Sequence, residues 1–275
     1  MKLFVALLAV GLPALVAAHS WIVCTDYLEN NGWYWDQAKC RGWPRAATFY
    51  NLRFGTFGTH NNYTWRLDNH PEERALCKVS RNDDRRYSEE TPMAAYYLGQ
   101  EVVLTHPANN HVAESKCRGR TAMDWENLMF VVDGDEDPCC IDSTKLIQIM
   151  DMGASPYGPN IDLVITTTYP KPGFQNAPKF CEDEANAMGT YNFTIPMDMK
   201  PGRHTFVWKW IRSPRVSPFT TCWEADVFAT KAERDAHYAA TGQTTVDLWD
   251  FYQINTIVDG EIMDPLDPVD QIISG

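Results

Sequence analysis

His19 follows the tripeptide Val16-Ala17-Ala18, and at that position it can do chemistry that an internal histidine cannot. If the chain is cut between Ala18 and His19, the new terminus carries a free α-amino nitrogen, with an ordinary pKa of roughly 7.7–8.0, beside its own imidazole Nδ1. Both nitrogens can bind one metal ion in a six-membered chelate. A second imidazole placed opposite completes three nitrogens in a T, a tetragonal field that suits Cu(II), and copper heads the affinity order for such ligands. This arrangement is a histidine brace, and it implies one copper ion per chain.

The cut itself is written in the preceding residues. Lys2 supplies a charged start, Leu3 to Val16 form an apolar run broken only by Gly11 and Pro13, and small residues follow; together they predict a signal peptide over residues 1–18 and a secreted product. All eight cysteines (Cys24, Cys40, Cys77, Cys117, Cys139, Cys140, Cys181 and Cys222) lie after the cut, an even number suited to four bridges in an oxidising compartment, with pairing left open. Asn62-Tyr63-Thr64 and Asn192-Phe193-Thr194 are candidate N-glycan acceptors. No other segment is long and apolar enough to span a bilayer, so no membrane association is expected. The net charge of −12 argues against a nucleic-acid partner, which would favour a basic face.

Six histidines compete to be the second ligand. His204 shares strand parity with Phe206, which favours a place at the edge of the core; His237 falls in a short helix, and His60 and His70 in a polar stretch that reads as surface loop. His106 and His111 remain, in "GQEVVLTHPANNHV" (99–112), where a strand ends at Pro107 and an Asn-rich turn presents His111. A loop at a strand end can aim a ligand without disturbing the core. His111 is the expected ligand and His106 the reserve.

The elements that must position these residues follow a period of two. "EVVLTH" (101–106), "NLMFVVDG" (127–134), "KLIQIMDM" (145–152), "IDLVITTTY" (161–169), "TYNFTIP" (190–196) and "HTFVWKWIR" (204–212) read as strands separated by Pro, Gly, Asn and Asp clusters. Phe206, Trp208 and Trp210 alternate, which puts three aromatics on one sheet face. Strands without intervening helices predict an all-β, antiparallel β-sandwich with long loops. "TKAERDAHYAA" (230–240) reads as a short helix opening an acidic tail, and "DPLDPVD" (264–270) beyond it as extended. The expected organisation is therefore a sandwich domain over residues 19–229 and a C-terminal extension over 230–275.

A mature N-terminal "HSW", a later "PANNH" after a valine-rich strand, and a closing "PGRHTFVWKWIR…PFTTCWEADVF" (201–228) resemble the lytic polysaccharide monooxygenases. Within that group the chain is most similar to the oomycete pectin-active family, auxiliary activity family seventeen, over about residues 19 to 228. The resemblance implies an immunoglobulin-like sandwich, His19 as bidentate and His111 as monodentate copper ligand, and an aromatic residue on the axial side. Phe219, three residues before Cys222, matches that aromatic; a phenylalanine cannot ligate, and ordinary strand packing also accounts for it. Ser217 stands where relatives often carry Gln or Glu, which leaves the supporting donor open, with Glu224 a candidate. The implied reaction is oxidative cleavage of a glycosidic bond with dioxygen or hydrogen peroxide and an external electron donor, with the redox chemistry left to the metal. A glycosidase would instead need two facing carboxylates, and no such pair is marked.

Two basic groups flank the motifs: Lys116, Arg118 and Arg120 after His111, and Lys209, Arg212 and Arg215 before Phe219. They can pair with the carboxylates of a polyuronate, or simply balance neighbouring acids. With the resemblance they point to pectin, as de-esterified homogalacturonan. Cellulose or chitin is the alternative, since "NNGWYWD" (30–36) offers aromatics for a flat surface, although consecutive Trp33, Tyr34 and Trp35 alternate faces on a strand. A secreted copper-binding protein without turnover, or a metal-free carbohydrate-binding sandwich, are the readings from other classes.

Overall fold

In the computed structural model, the described residues are 21–29, 34–47, 65–66, 76–77, 80–82, 87–107, 122–123, 126–138, 143–152, 156–157, 188–211, 218–245, 257–258 and 261–262. They form strands β1 (Trp65–Arg66), β2 (Ala94–Tyr97), β3 (Glu101–Pro107), β4 (Ala122–Met123), β5 (Glu126–Val132), β6 (Leu146–Asp151), β7 (Pro156–Tyr157), β8 (Met188–Thr194), β9 (Gly202–Ile211), β10 (Phe219–Phe228), β11 (Ile257–Val258) and β12 (Glu261–Ile262), with one helix, α1 (Lys231–Thr241). The strands expected at 101–106, 127–134, 145–152, 190–196 and 204–212 are all present; 161–169 lies outside the described residues.

One layer is a six-stranded sheet in the order β1-β10-β9-β5-β6, with β2 also beside β10. The other is built on the antiparallel pair β3–β8, to which the chain around Cys24 adds through an antiparallel bridge to Thr105. The expected antiparallel sandwich is present, with one parallel pair within it: β2 runs parallel to β10, with Ala95 opposite Asp226. A mixed edge of this kind requires a connection that carries the chain across the molecule, and 121 residues separate Tyr97 from Phe219.

Between the layers lies one apolar core. Val102, Leu104, Tyr191 and Phe193 come from β3 and β8; Met129, Val131, Phe206, Trp208, Trp210 and Trp223 come from the facing sheet. The alternating aromatics of β9 share this face as expected, with Trp208 stacked on Trp210 at 6.2 Å between ring centroids. Two indole N–H groups of this core find acceptors: Trp208 donates to Asn127 Oδ1 at 2.8 Å and Trp223 to the Tyr96 hydroxyl at 3.0 Å.

The sheet is covered on its outer face too, which explains why β5 reads as a near-continuous apolar run from Leu128 to Val132. Leu76, Cys77, Phe130, Val132, Val207 and Cys222 form a second cluster there, fastened by the Cys77–Cys222 disulfide across 145 residues. In the chain-entropy picture, closing a loop of this length restricts the unfolded chain by about 4–5 kcal/mol. Cys24–Cys40 is the other bridge among the described residues; Cys117, Cys139, Cys140 and Cys181 lie outside them.

Helix α1 begins where its sequence specifies. The Thr230 hydroxyl accepts the Glu233 N–H at 3.2 Å while the Glu233 carboxylate reaches back to Ala229 N–H at 3.1 Å, a close variant of the capping box. Gly242, at φ 75°, ends it in the left-handed conformation. Its inner face is not solvated: Arg234 and Tyr238 are fully buried, and the Tyr238 hydroxyl lies 2.8 Å from the Ala95 carbonyl, accepts Ala95 N–H at 3.1 Å, and sits 3.1 Å from Asp26 Oδ2. Burial, and then the charge of Asp26, hold this phenol far above its ordinary pKa. Helix α1, where the extension is expected to open, packs into the sandwich.

Candidate functional site

Three landmarks of the predicted centre meet at one end of the sandwich. The first is the chain at Trp21 and Ile22, both buried; the Ile22 N–H donates to Thr221 Oγ1 at 3.2 Å. This segment runs antiparallel to β3, with Val23 N–H donating to the Thr105 carbonyl at 2.9 Å and Thr105 N–H to that of Cys24 at 3.0 Å. The second landmark is therefore the end of β3 at Pro107, which lies at the same end as the chain entering Trp21. The third is Phe219, the first residue of β10 and two residues from Thr221.

Phe219 is fully buried. It lies opposite Trp210 in the β9–β10 register, and the two rings pack at 5.7 Å. Aromatic packing thus gives this end a rigid apolar floor. Glu224 is five residues along β10, an odd number, so it projects from the opposite face of the sheet. There its Oε1 accepts from Arg45 Nε at 2.9 Å and from the Arg45 Nη2, and its Oε2 from the Tyr87 hydroxyl at 2.8 Å. It cannot support a group resting on the Phe219 ring.

His106 is spent on the core. Its side chain is fully buried, with its ring centroid 6.0 Å from that of Tyr191, 5.8 Å from Trp208 and 6.4 Å from Trp210. Burial holds its imidazole well below its ordinary pKa, outweighing backbone hydrogen bonds that favour the charged form. The sequence carried a sign of this, because His106 has the parity of Val102 and Leu104. His204 is half-buried with Nε2 2.6 Å from the Lys200 carbonyl, and His237 packs its ring 5.3 Å from that of Phe228.

His19, His60, His70 and His111 lie outside the described residues, as do Lys116, Arg118, Arg120, Arg212, Arg215 and Asn62. Lys209 is described and forms an ion pair with Glu126, so it balances a neighbouring acid. Asn192 is half-buried on β8 and donates to Glu101 Oε1 at 2.8 Å; a glycan there must displace that bond. Of the aromatic run, Tyr34 is exposed, whereas Trp35 stacks on Tyr27 at 5.5 Å, the alternation expected of consecutive rings. Among the described residues no group of three His, Cys, Asp or Glu side chains is placed to hold a metal, and no helix is long and apolar enough to cross a membrane.

No protein-family model matches the sequence, and no curated protein does either. Among solved structures the chain is similar to an AA10 lytic polysaccharide monooxygenase from Photorhabdus luminescens, at 10% identity over 52% of this chain and 63% of that one, with a TM-score of 0.27. It is also similar to a lytic polysaccharide monooxygenase from Kitasatospora papulosa, at 11% identity over 63% and 77% of the two chains, TM-score 0.31. A third is a cellulose-active lytic polysaccharide monooxygenase in complex with copper, at 10% identity over 77% and 100%, TM-score 0.35. The chain spans less than two thirds of the Photorhabdus protein. Likeness at this level assigns neither residue nor substrate.

Proposed function

We propose that this chain is a secreted, copper-dependent polysaccharide monooxygenase that cleaves pectin as de-esterified homogalacturonan, with His19 as its mature N-terminus. The observation that carries the reading is the convergence of Trp21–Ile22, Pro107 and Phe219 at one end of the sandwich. His19 precedes Trp21 by two residues and His111 follows Pro107 by four, and this closeness in sequence to two of the three landmarks supports them as the copper ligands.

The donor set fits copper: an amine and two imidazoles supply three nitrogens without a carboxylate. Phe219 has no donor atom, so its ring, fixed against Trp210, would contribute apolar packing beside a copper ion held by His19 and His111 and no ligand. The protein's part is to hold these nitrogens on a rigid layer, which the hydrogen bond from Ile22 to Thr221 and the Cys24–Cys40 bridge provide on the His19 side. Bound there, copper supplies the one-electron chemistry with dioxygen or hydrogen peroxide that oxidises the glycosidic carbon, fed by an external electron donor. Lys116, Arg118, Arg120, Arg212 and Arg215 are the proposed contacts to the polyuronate.

Mass spectrometry of the secreted protein tests this first. The expected result is a chain beginning at His19 with one copper ion under native conditions, and reductant-dependent oxidised oligomers from homogalacturonan. His19→Ala, or a form retaining Ala18 at its terminus, should weaken copper binding by at least about a thousandfold, roughly 4 kcal/mol. Unchanged copper affinity in either form would defeat the brace; copper binding without oxidised product would leave a metal-binding protein without turnover.

A further inference from the structure

The outer face of β10 carries a second candidate site. Arg81, Tyr87, Met93, Arg203 and Glu224 line a cavity of about 400 Å³, toward the smaller end of the range for small-molecule pockets, roughly 300–1,000 Å³. Its charged groups differ in how far they are already committed. Glu224 is buried and its charge is met by Arg45, with Tyr87 donating to its second oxygen. Arg203 is held in a two-point pair with Asp226, at 2.8 and 2.9 Å.

Arg81 is held differently. Its backbone N–H donates to Asp137 Oδ2 at 2.7 Å and its Nη1 to the Gly134 carbonyl at 3.2 Å, so the guanidinium is oriented by the main chain. Its carboxylate contact is Asp135 at 3.4 Å, and that carboxylate is 97% exposed while the Arg81 side chain is 12% exposed. Water screens such a pair, so Asp135 commits the guanidinium only weakly. Arg81 lines the cavity, and a guanidinium can give a carboxylate two parallel hydrogen bonds. Met93 and the Tyr87 ring supply an apolar wall that suits the C–H face of a small ring.

We infer that this cavity is a binding site for a small organic carboxylate about the size of a single hexuronate, recognised by Arg81 and packed against Met93 and Tyr87. It is independent of the copper reading, because Glu224 and Phe219 project from opposite faces of β10.

The test is calorimetric titration of the full secreted chain with D-galacturonate and with D-galactose, which differ by the carboxylate. Galacturonate should bind saturably with a Kd of about 1 mM, and galactose at least about tenfold more weakly. Arg81→Gln should weaken galacturonate about tenfold, and Met93→Trp, which fills the cavity, should abolish its binding; an unchanged unfolding midpoint shows that each variant is folded, and Met93→Phe, which narrows the cavity and is expected to weaken binding severalfold, replaces Met93→Trp if that variant does not fold. His19→Ala should leave galacturonate binding intact. The inference is overturned by non-saturable binding up to about 50 mM, by equal affinity for galactose, by an Arg81→Gln or cavity variant that binds as the parent does, or by loss of binding in His19→Ala.

Discussion

The two faces of β10 are built on opposite principles. Facing inward, Phe219, Trp223, Ala225 and Val227 join one apolar core, where shape and dispersion fix every side chain. Facing outward, Thr220, Cys222, Glu224 and Asp226 are each tied to a specific partner: a carbonyl, a disulfide, a buried arginine and a clamped arginine. The comparison teaches how one strand with a period of two can give one face a rigid floor for a proposed centre and the other face a polar wall with room beside it. It also explains why the outer face depends on its partners as pairs, whereas the inner face depends on volume.

Mutations should break this contrast in a definite order. Trp223→Ala removes the largest inward side chain of β10 and its stacked contact with Phe206 at 5.9 Å; it should lower stability by about 4 kcal/mol, read from urea unfolding. On the outer face, Glu224→Leu removes the more buried of Arg45's two acid partners among the described residues, the other being the partly exposed Asp137, and should cost about 3 kcal/mol. The double variant Arg45→Met/Glu224→Leu should recover most of that loss, since the cost lies in the stranded charge; no recovery would mean that the outer face is held by packing after all.

The smallest effect is a pH dependence of the inner layer. His106 is depressed in the fold, so the unfolded chain takes up a proton near its ordinary pKa of 6.5 that the folded chain refuses. Stability is therefore fully present above that pH and falls as pH drops below it, at a slope approaching about 1.4 kcal/mol per pH unit. His106→Phe should flatten the profile between about pH 6.5 and 5.5, and an equally steep profile in that variant would assign the slope elsewhere.

What could be read from the sequence was local. The alternation of Phe206, Trp208 and Trp210 set β9 and its buried face, and "TKAERDAHYAA" marked the helix that is α1. What could not be read was non-local. "AAYY" at 94–97 has no alternation and becomes a strand only because β10 offers an edge to pair with. The charged segment reads as a helix, but nothing in "TKAERDAHYAA" reveals that Arg234 will lie over the Tyr97 ring at 4.9 Å. Arg45, Tyr87 and Glu224 meet across 137 to 179 residues of sequence, a separation no spacing rule spans. Glu224 as a supporting donor fails on parity alone, a test that needs only the strand and its register.

Tyr238 has a consequence for how the molecule behaves in a crowd. Among the described residues β2 is the outermost strand on its side of β10, and a bare strand there would present open main-chain groups to any extended peptide. The phenol takes up both the N–H and the carbonyl of Ala95. It thereby acts as a stopper in the middle of a four-residue edge, and α1 gives this flank of the sheet colloidal protection: copies of the chain gathered at high concentration find no template here on which to grow a shared sheet.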